Sequence, residues 1–236
     1  MHQVRVTLSA NAGVSIEVGG KRILVDAFHQ KKQPGFSTVE SQLFQKMLTQ
    51  DAFSQPDYLC YTHKHSDHYD KKMTQVILAT APNAKLIQPE PELEGAVQLS
   101  GEEFVWKDGQ TTIHFLKLPH EGALYQDTVH YGLLITAGDV TILLPGDCAV
   151  ASPVLEEKIS NRKINLAILD FPWVTLRKGR EFLQKHLPAD HILLYHLPFK
   201  EDDVNGYRSA AIRWAQQLSG AADIRLLMEP LQTETI

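Results

Sequence analysis

Three histidines and an aspartate fall within six residues of one another in THKHSDHYD, residues 62–70, directly after the apolar run DYLCYT at 57–62. The run reads as a short buried strand. At the turn that ends it, alternate side chains can converge on one point, which places His63, His65, Asp67 and His68 together. Imidazole nitrogen and carboxylate oxygen suit Zn²⁺, at roughly 2.0–2.2 Å per bond, and Mn²⁺ or Fe²⁺ accepts the same donors. Four such groups do not close two metal sites, so further ligands must come from other strand ends. Three positions qualify: His120 after FLKLP, Asp147 in LLPGD, and His196 closing ILLYH.

The rest of the chain supplies the strands that this demands. VRVTLSA, VSIEV and RILVDAF, separated by Asn11-Ala12-Gly13 and Gly19-Gly20, predict an antiparallel meander. Ser37-Thr38-Val39-Glu40 reads as a capping box, with Val39, Leu43 and Met47 on one helical face. Gln30 to Phe36, including the Lys31-Lys32 pair, reads as a solvated loop. A helix is expected around Asp70 to Leu78 and a strand at AKLIQ. The second half repeats this plan: TTIHFLKL, VHYGLLIT and VTILLPG form strands, the last two joined by the Ala137-Gly138-Asp139 turn. Ser152-Pro153 then starts a helix, INLAILD and HILLYH are strands, and Tyr207, Ala211, Trp214 and Leu218 mark a helical face. The expected architecture is α/β, with two sheets packed face to face and helices outside. No low-complexity tract or linker divides the chain, so residues 1–236 are expected to form a single domain.

The order His63-x-His65-x-Asp67-His68, then His120, Asp147 and His196, resembles the metallo-β-lactamase superfamily of metal-dependent hydrolases. The resemblance extends from VSIEVGGKRILVDAF to YHLPF, essentially the whole chain. It implies the four-layer αβ/βα sandwich. By position, it implies that His63, His65 and His120 hold one divalent metal and that Asp67, His68 and His196 hold a second, with Asp147 bridging them. Departures narrow the branch. LPHEGALYQDTVHYGLLI lacks the Thr-Pro-Gly pattern that follows the third histidine in many lactamases and hydroxyacylglutathione hydrolases. It is more similar to ribonuclease Z-like and ascorbate-6-phosphate lactonase-like members. His65 stands where the flavodiiron branch carries glutamate, which disfavours oxygen-reducing chemistry, and the long tRNA-grasping insertion of ribonuclease Z is not recognisable.

The reaction class expected is hydrolysis of a small-molecule ester, lactone or phosphodiester, with Asp67 also orienting the attacking water. A nucleic-acid phosphodiesterase and a non-catalytic metal-containing binding or sensor protein are the alternatives. The net charge of −5 does not supply the basic field that nucleic-acid binding normally uses. His29, Glu121 and Asp170 are candidates for proton transfer, Phe171 and Trp173 for a pocket wall, and Tyr125 and Lys200 for contact with an anionic substrate. His114, His130, His186 and His191 have no spacing that recruits them. Cys60 and Cys148 form neither a CxxC motif nor a disulfide framework. With no leader-like start and no run of about eighteen apolar residues, the chain is expected to be soluble and cytoplasmic.

Overall fold

The opening apolar runs form the meander β1 (Arg5–Leu8), β2 (Val14–Val18) and β3 (Lys21–Val25) in a computed structural model that describes residues 3–31, 34–218 and 222–236. Lys32 of the loop pair lies outside the described residues. Gly19 and Gly20, both at positive φ, turn β2 into β3, a conformation that glycine adopts without a Cβ penalty. Helix α1 (Ser41–Thr49) follows, then β4 (Tyr58–Cys60), α2 (Lys71–Thr80) and β5 (Lys85–Gln88). Asp70 caps α2 by accepting from the Met73 amide at 2.9 Å. Strands β3, β4 and β5 are parallel.

After β6 (Val97–Gln98) and β7 (Glu103–Asp108), the plan recurs. A second meander of β8 (Thr111–Lys117), β9 (Tyr131–Ala137) and β10 (Val140–Leu144) leads to α3 (Pro153–Ile159) and β11 (Ile164–Asp170). Helices α4 (Pro172–Thr175) and α5 (Arg177–His186) precede β12 (Ala189–Tyr195); α6 (Tyr207–Leu218) precedes β13 (Asp223–Leu226) and β14 (Thr233–Thr235). The strand orders are β14-β1-β2-β3-β4-β5-β6 and β13-β12-β11-β10-β9-β8-β7, and β10 to β13 run parallel.

Apolar runs without alternation are the signature of strands buried on both faces. In β12, Leu193 and Tyr195 join a core cluster shared by both sheets, whereas Ile192 and Leu194 join one shared with α3 to α6. Phe44 and Met47 of α1 and Met73 and Ile77 of α2 pack into the first cluster. The result is the αβ/βα sandwich. No helix among the described residues is long and apolar enough to cross a membrane, and Cys60 and Cys148 are buried free thiols.

The structure corrects one local expectation. Ser37 is not a helix cap: its hydroxyl donates to Asp202 at 2.7 Å and accepts from the Phe199 amide, and α1 begins four residues later without a side-chain cap. Val39 and Met47 are nonetheless completely buried, as the apolar spacing requires. β14, at the end of the chain, returns to pair antiparallel with β1.

Candidate metal centre

β4 enters the core and stops, and the chain beyond it stays pinned. The Tyr61 amide donates to the Ile87 carbonyl at 3.0 Å and the Thr62 amide to the Asp26 carboxylate at 2.8 Å. His63 therefore leaves a fixed backbone. The amides of His68 and Tyr69 both donate to the His65 carbonyl at 2.9 Å. This turn returns the His68 ring to 4.1 Å from that of His63. His63 and His68 are completely buried, while His65 and Asp67 are half-buried.

Three other strand ends meet this turn. His120 and Asp147 each follow their strand, β8 or β10, by three residues, and His196 follows β12 directly. Their loops are knitted together: the Glu121 amide donates to the Asp147 carbonyl at 2.8 Å and Ala149 to Pro119 at 2.7 Å. The His196 amide donates to Asn11 of the first sheet's loop at 3.0 Å, and Tyr131 to Thr62 at 2.9 Å. His196 has φ 58°, a left-handed conformation that costs a histidine free energy and clusters at functional sites.

His63, His65 and His120 offer three ligand atoms within 4.8 Å of one another, and Asp67, His68 and His196 offer three more. Asp147 stands between the two groups. Its Oδ2 is 3.2 Å from Nε2 of His68 and 3.7 Å from Nε2 of His120, and its Oδ1 is 3.4 Å from Nε2 of His196.

The donor set fits divalent cations on two observations. His68 Nδ1 lies 2.9 Å from the Asp26 carboxylate and His120 Nδ1 2.7 Å from the Glu121 carbonyl, which turns both Nε2 atoms inward. Those two nitrogens and Asp147 Oδ1 are buried without hydrogen-bond partners, a costly arrangement unless something else binds them. His63 Nε2 also lies 3.0 Å from His65 Nδ1, near the ~3.3 Å that bonds of ~2.0–2.1 Å give two nitrogens on one tetrahedral Zn²⁺.

The electrostatics agree. Burial works against both charges, yet the carboxylates of Asp147 and Asp26 raise His68 well above the usual histidine range. Burial likewise opposes ionisation of Asp147, and His68 and His196 hold it well below the carboxylate range. Burial, then the neighbouring His68, pushes His63 well below the usual histidine range.

Asp26, the residue that sequence reasoning missed, sits at the end of β3 and is completely buried. It forms a further potential ligand group with His63 and His68. Its oxygens, however, already accept from the Thr62 amide, the Thr62 hydroxyl at 2.6 Å and His68 Nδ1. Thr62 Oγ1 in turn lies 2.8 Å from His63 Nδ1. Asp26 therefore orients two histidines at once, the supporting role that metal-ligating imidazoles need. The available signal was an aspartate directly after the apolar strand RILV.

The other candidates scatter around this centre. His29 is completely buried, donates through Nε2 to the Ala10 carbonyl at 3.0 Å, and is pushed down to about 4 by burial. His130, which had no recruiting pattern, is also buried, with its ring 5.3 Å from His63 and 5.6 Å from His120. Glu121 is engaged elsewhere: its carboxylate accepts from the Val150 amide at 2.5 Å and pairs with Lys178 at 3.2 Å. Burial first, then the charge of Asp147, pushes Asp170 up to about 8. Trp173 is not a pocket wall; it is completely buried behind the second sheet, 5.3 Å from the Phe182 ring. Phe171 stacks on Tyr207 at 4.6 Å.

A cavity of about 400 Å³ opens over the centre. Its floor includes His65, Asp67, His120, Asp147 and His196, and its sides include Pro34, Phe36 and Tyr125. Lys200 is exposed and does not line it.

No protein-family profile matches the chain, and no curated protein sequence does. Solved structures do. The metallo-β-lactamase fold protein YhfI from Bacillus subtilis is 16% identical with a TM-score of 0.64, each chain covered completely. Igni18, described as a novel metallo hydrolase from the archaeon Ignicoccus hospitalis, is 16% identical with a TM-score of 0.68 over 99% of this chain and 98% of its own. CmlA from Streptomyces venezuelae, a diiron β-hydroxylase, is 15% identical with a TM-score of 0.66 over 99% of this chain and 54% of its own. The chain thus has the metallo-β-lactamase fold, with His/Asp clusters suited to a dinuclear centre.

Proposed function

We propose that the chain is a dinuclear metal-dependent hydrolase acting on a small-molecule ester, lactone or phosphodiester. One observation carries this reading: the Asp147 carboxylate lies between two three-residue ligand groups, with the inward nitrogens of His68, His120 and His196 around it. His63, His65 and His120 would hold one cation, Asp67, His68 and His196 the other, and Asp147 both. Zn²⁺ suits the nitrogen-rich set, and Mn²⁺ or Fe²⁺ accepts the same donors. Such a pair supplies the Lewis acidity that makes water nucleophilic near pH 7 and polarises a carbonyl or phosphoryl oxygen.

The chain's own groups do the positioning. Asp26 and Thr62 hold His68 and His63 in one orientation, so the ligand array is set before substrate arrives. Asp67, half-buried at the cavity floor, would orient the attacking water and accept its proton. The loop around His120, which resembles ribonuclease Z-like and ascorbate-6-phosphate lactonase-like members, supports phosphodiesters and lactones as the first substrates to try. We place the protein in the cytoplasm as a single domain.

The test is metal content by inductively coupled plasma mass spectrometry for wild type and Asp147→Ala, with hydrolysis of a phosphodiester and a lactone panel. The expected result is close to two metals per chain, falling to one or fewer in the variant, with activity on one panel. Wild-type protein that holds no metal after addition of Zn²⁺ or Mn²⁺ would refute the proposal.

A further inference from the structure

Two aromatic rings flank the ligand array, one at each group. Tyr125, on the 3-10 turn Ala123–Tyr125, meets His65 with ring centroids 4.9 Å apart and His120 at 5.1 Å. Phe36 meets the His196 ring edge-on at 5.2 Å. Neither ring belongs to the core; both line the cavity.

Each ring is held in place. Phe36 stacks on Tyr207 at 6.0 Å, and Tyr207 stacks on Phe171 at 4.6 Å, so three rings form one braced wall. Gly122, at φ 94°, lies against Tyr125: a Cβ there would come within 3.2 Å of the Tyr125 ring. Backbone and side chain are thus matched at this turn.

The apolar character continues outside the cavity. Leu124, next to Tyr125, is 91% exposed, and Tyr125 itself is 46% exposed. On the other side Val204 is 79% exposed and lies beside Gly35, within the Pro34–Phe36 segment. Aromatic side chains beside a few convergent polar groups are the usual make-up of a small-molecule cavity. Among the described lining residues the charged side chains are ligand-type His and Asp, with no lysine or arginine. Charge is therefore concentrated on the floor and apolar surface on the sides.

Building on the hydrolase reading, we propose that Tyr125 and Phe36 form a specificity site for an aromatic ring carried next to the scissile bond of a small-molecule substrate. The reacting group points to the floor, and the ring packs against the flanking aromatics in offset or edge-on contact. Phe171 and Tyr207 act as positioning residues behind Phe36.

The test compares probes that differ only in a phenyl group. Binding of phenylmethanethiol and of methanethiol to Zn²⁺-loaded protein is measured by calorimetry, and hydrolysis of methyl phenylacetate and of methyl acetate is followed in parallel. Wild type is expected to prefer the phenyl member at least tenfold. Tyr125→Ala is expected to reduce that preference about tenfold with metal content unchanged, and Tyr125→Phe to retain it. Gly122→Ala, which displaces the ring without removing it, should lie between. Equal binding of the two thiols by wild type, or a preference unaltered by Tyr125→Ala, would overturn the proposal. If the thiols discriminate as expected while neither ester is hydrolysed, the aromatic site stands and the hydrolase reading fails for carboxylic esters. Repeating the titration on chelator-treated protein isolates the ring contacts, and a surviving phenyl preference of at least threefold is expected.

Discussion

At the scale of single residues, the centre depends as much on Asp26 as on the histidines it orients. Its carboxylate fixes the Thr62 amide and hydroxyl and His68 Nδ1 within one buried network. Asp26→Asn replaces an acceptor with a donor on one side, so metal affinity is expected to fall about 10–100-fold; competition with a chromogenic chelator measures this. Asp170 gives a second prediction, with a sign fixed by linkage. Its carboxyl is pushed up to about 8 in the fold, from 3.8, by burial and by Asp147. Between those values the folded chain binds more protons than the unfolded one, so this group's contribution to stability is present below about pH 4 and lost as pH rises through about 8. Metal-free Asp170→Asn should therefore match wild type near pH 4 and be more stable at pH 7, by up to a few kcal/mol at roughly 1.4 kcal/mol per pH unit. Urea unfolding at the two pH values reads the difference. Asp147 was legible because it follows Gly146 at the end of an apolar strand. Trp173 misled because LDFPW reads as a strand end near the site, whereas the chain enters α4 there and turns the indole into the core.

At the scale of elements, each candidate ligand is delivered by the end of a strand, and what holds those ends together is backbone. The loop at the start of β2 is one such place. A Cβ on Gly13 would lie 2.6 Å from the Asp26 carbonyl oxygen and 2.8 Å from Ala27 Cα. These are backbone atoms and cannot yield as a flexible side chain would. Gly13→Ala is expected to destabilise the protein by roughly 1–3 kcal/mol through overpacking and to weaken metal binding as well, because it pushes on the segment that carries Asp26. Equilibrium unfolding and chelator competition on the same variant would show both effects. Helices α2 and α3 were readable from Asp70 and Ser152 because those caps are local hydrogen bonds. Helix α5 was not, because its packing residues Phe182 and Leu183 lie in a segment otherwise polar and without a capping side chain. Ser37 shows the converse: the right residue type for a cap was taken by Asp202 and Phe199, 165 and 162 residues away.

For the whole molecule, the centre lies at one edge of the sandwich, where the C-terminal ends of parallel strands from both sheets meet, the position at which open α/β sheets bind ligands. The cluster that joins the sheets contains none of the metal-ligand candidates. Chelator treatment is therefore expected to leave secondary structure intact while lowering the melting temperature. Zn²⁺ at about one hundred times its dissociation constant should add about 2.7 kcal/mol, which for a chain of this size corresponds to ~5–10 °C. Scanning calorimetry with and without chelator measures the shift, and an unchanged melting temperature would contradict metal binding by the folded centre. The sequence alone determined the local quantities: which runs are strands, which side chains are donors, and the order in which ligand-bearing turns follow apolar runs. These follow from patterns within a few residues. Tertiary structure decided the return of β14 to β1, the Asp26–Thr62–His63 relay, and the aromatic rings over the centre. Each depends on contacts between segments tens to hundreds of residues apart, and no local periodicity encodes which strand end faces which.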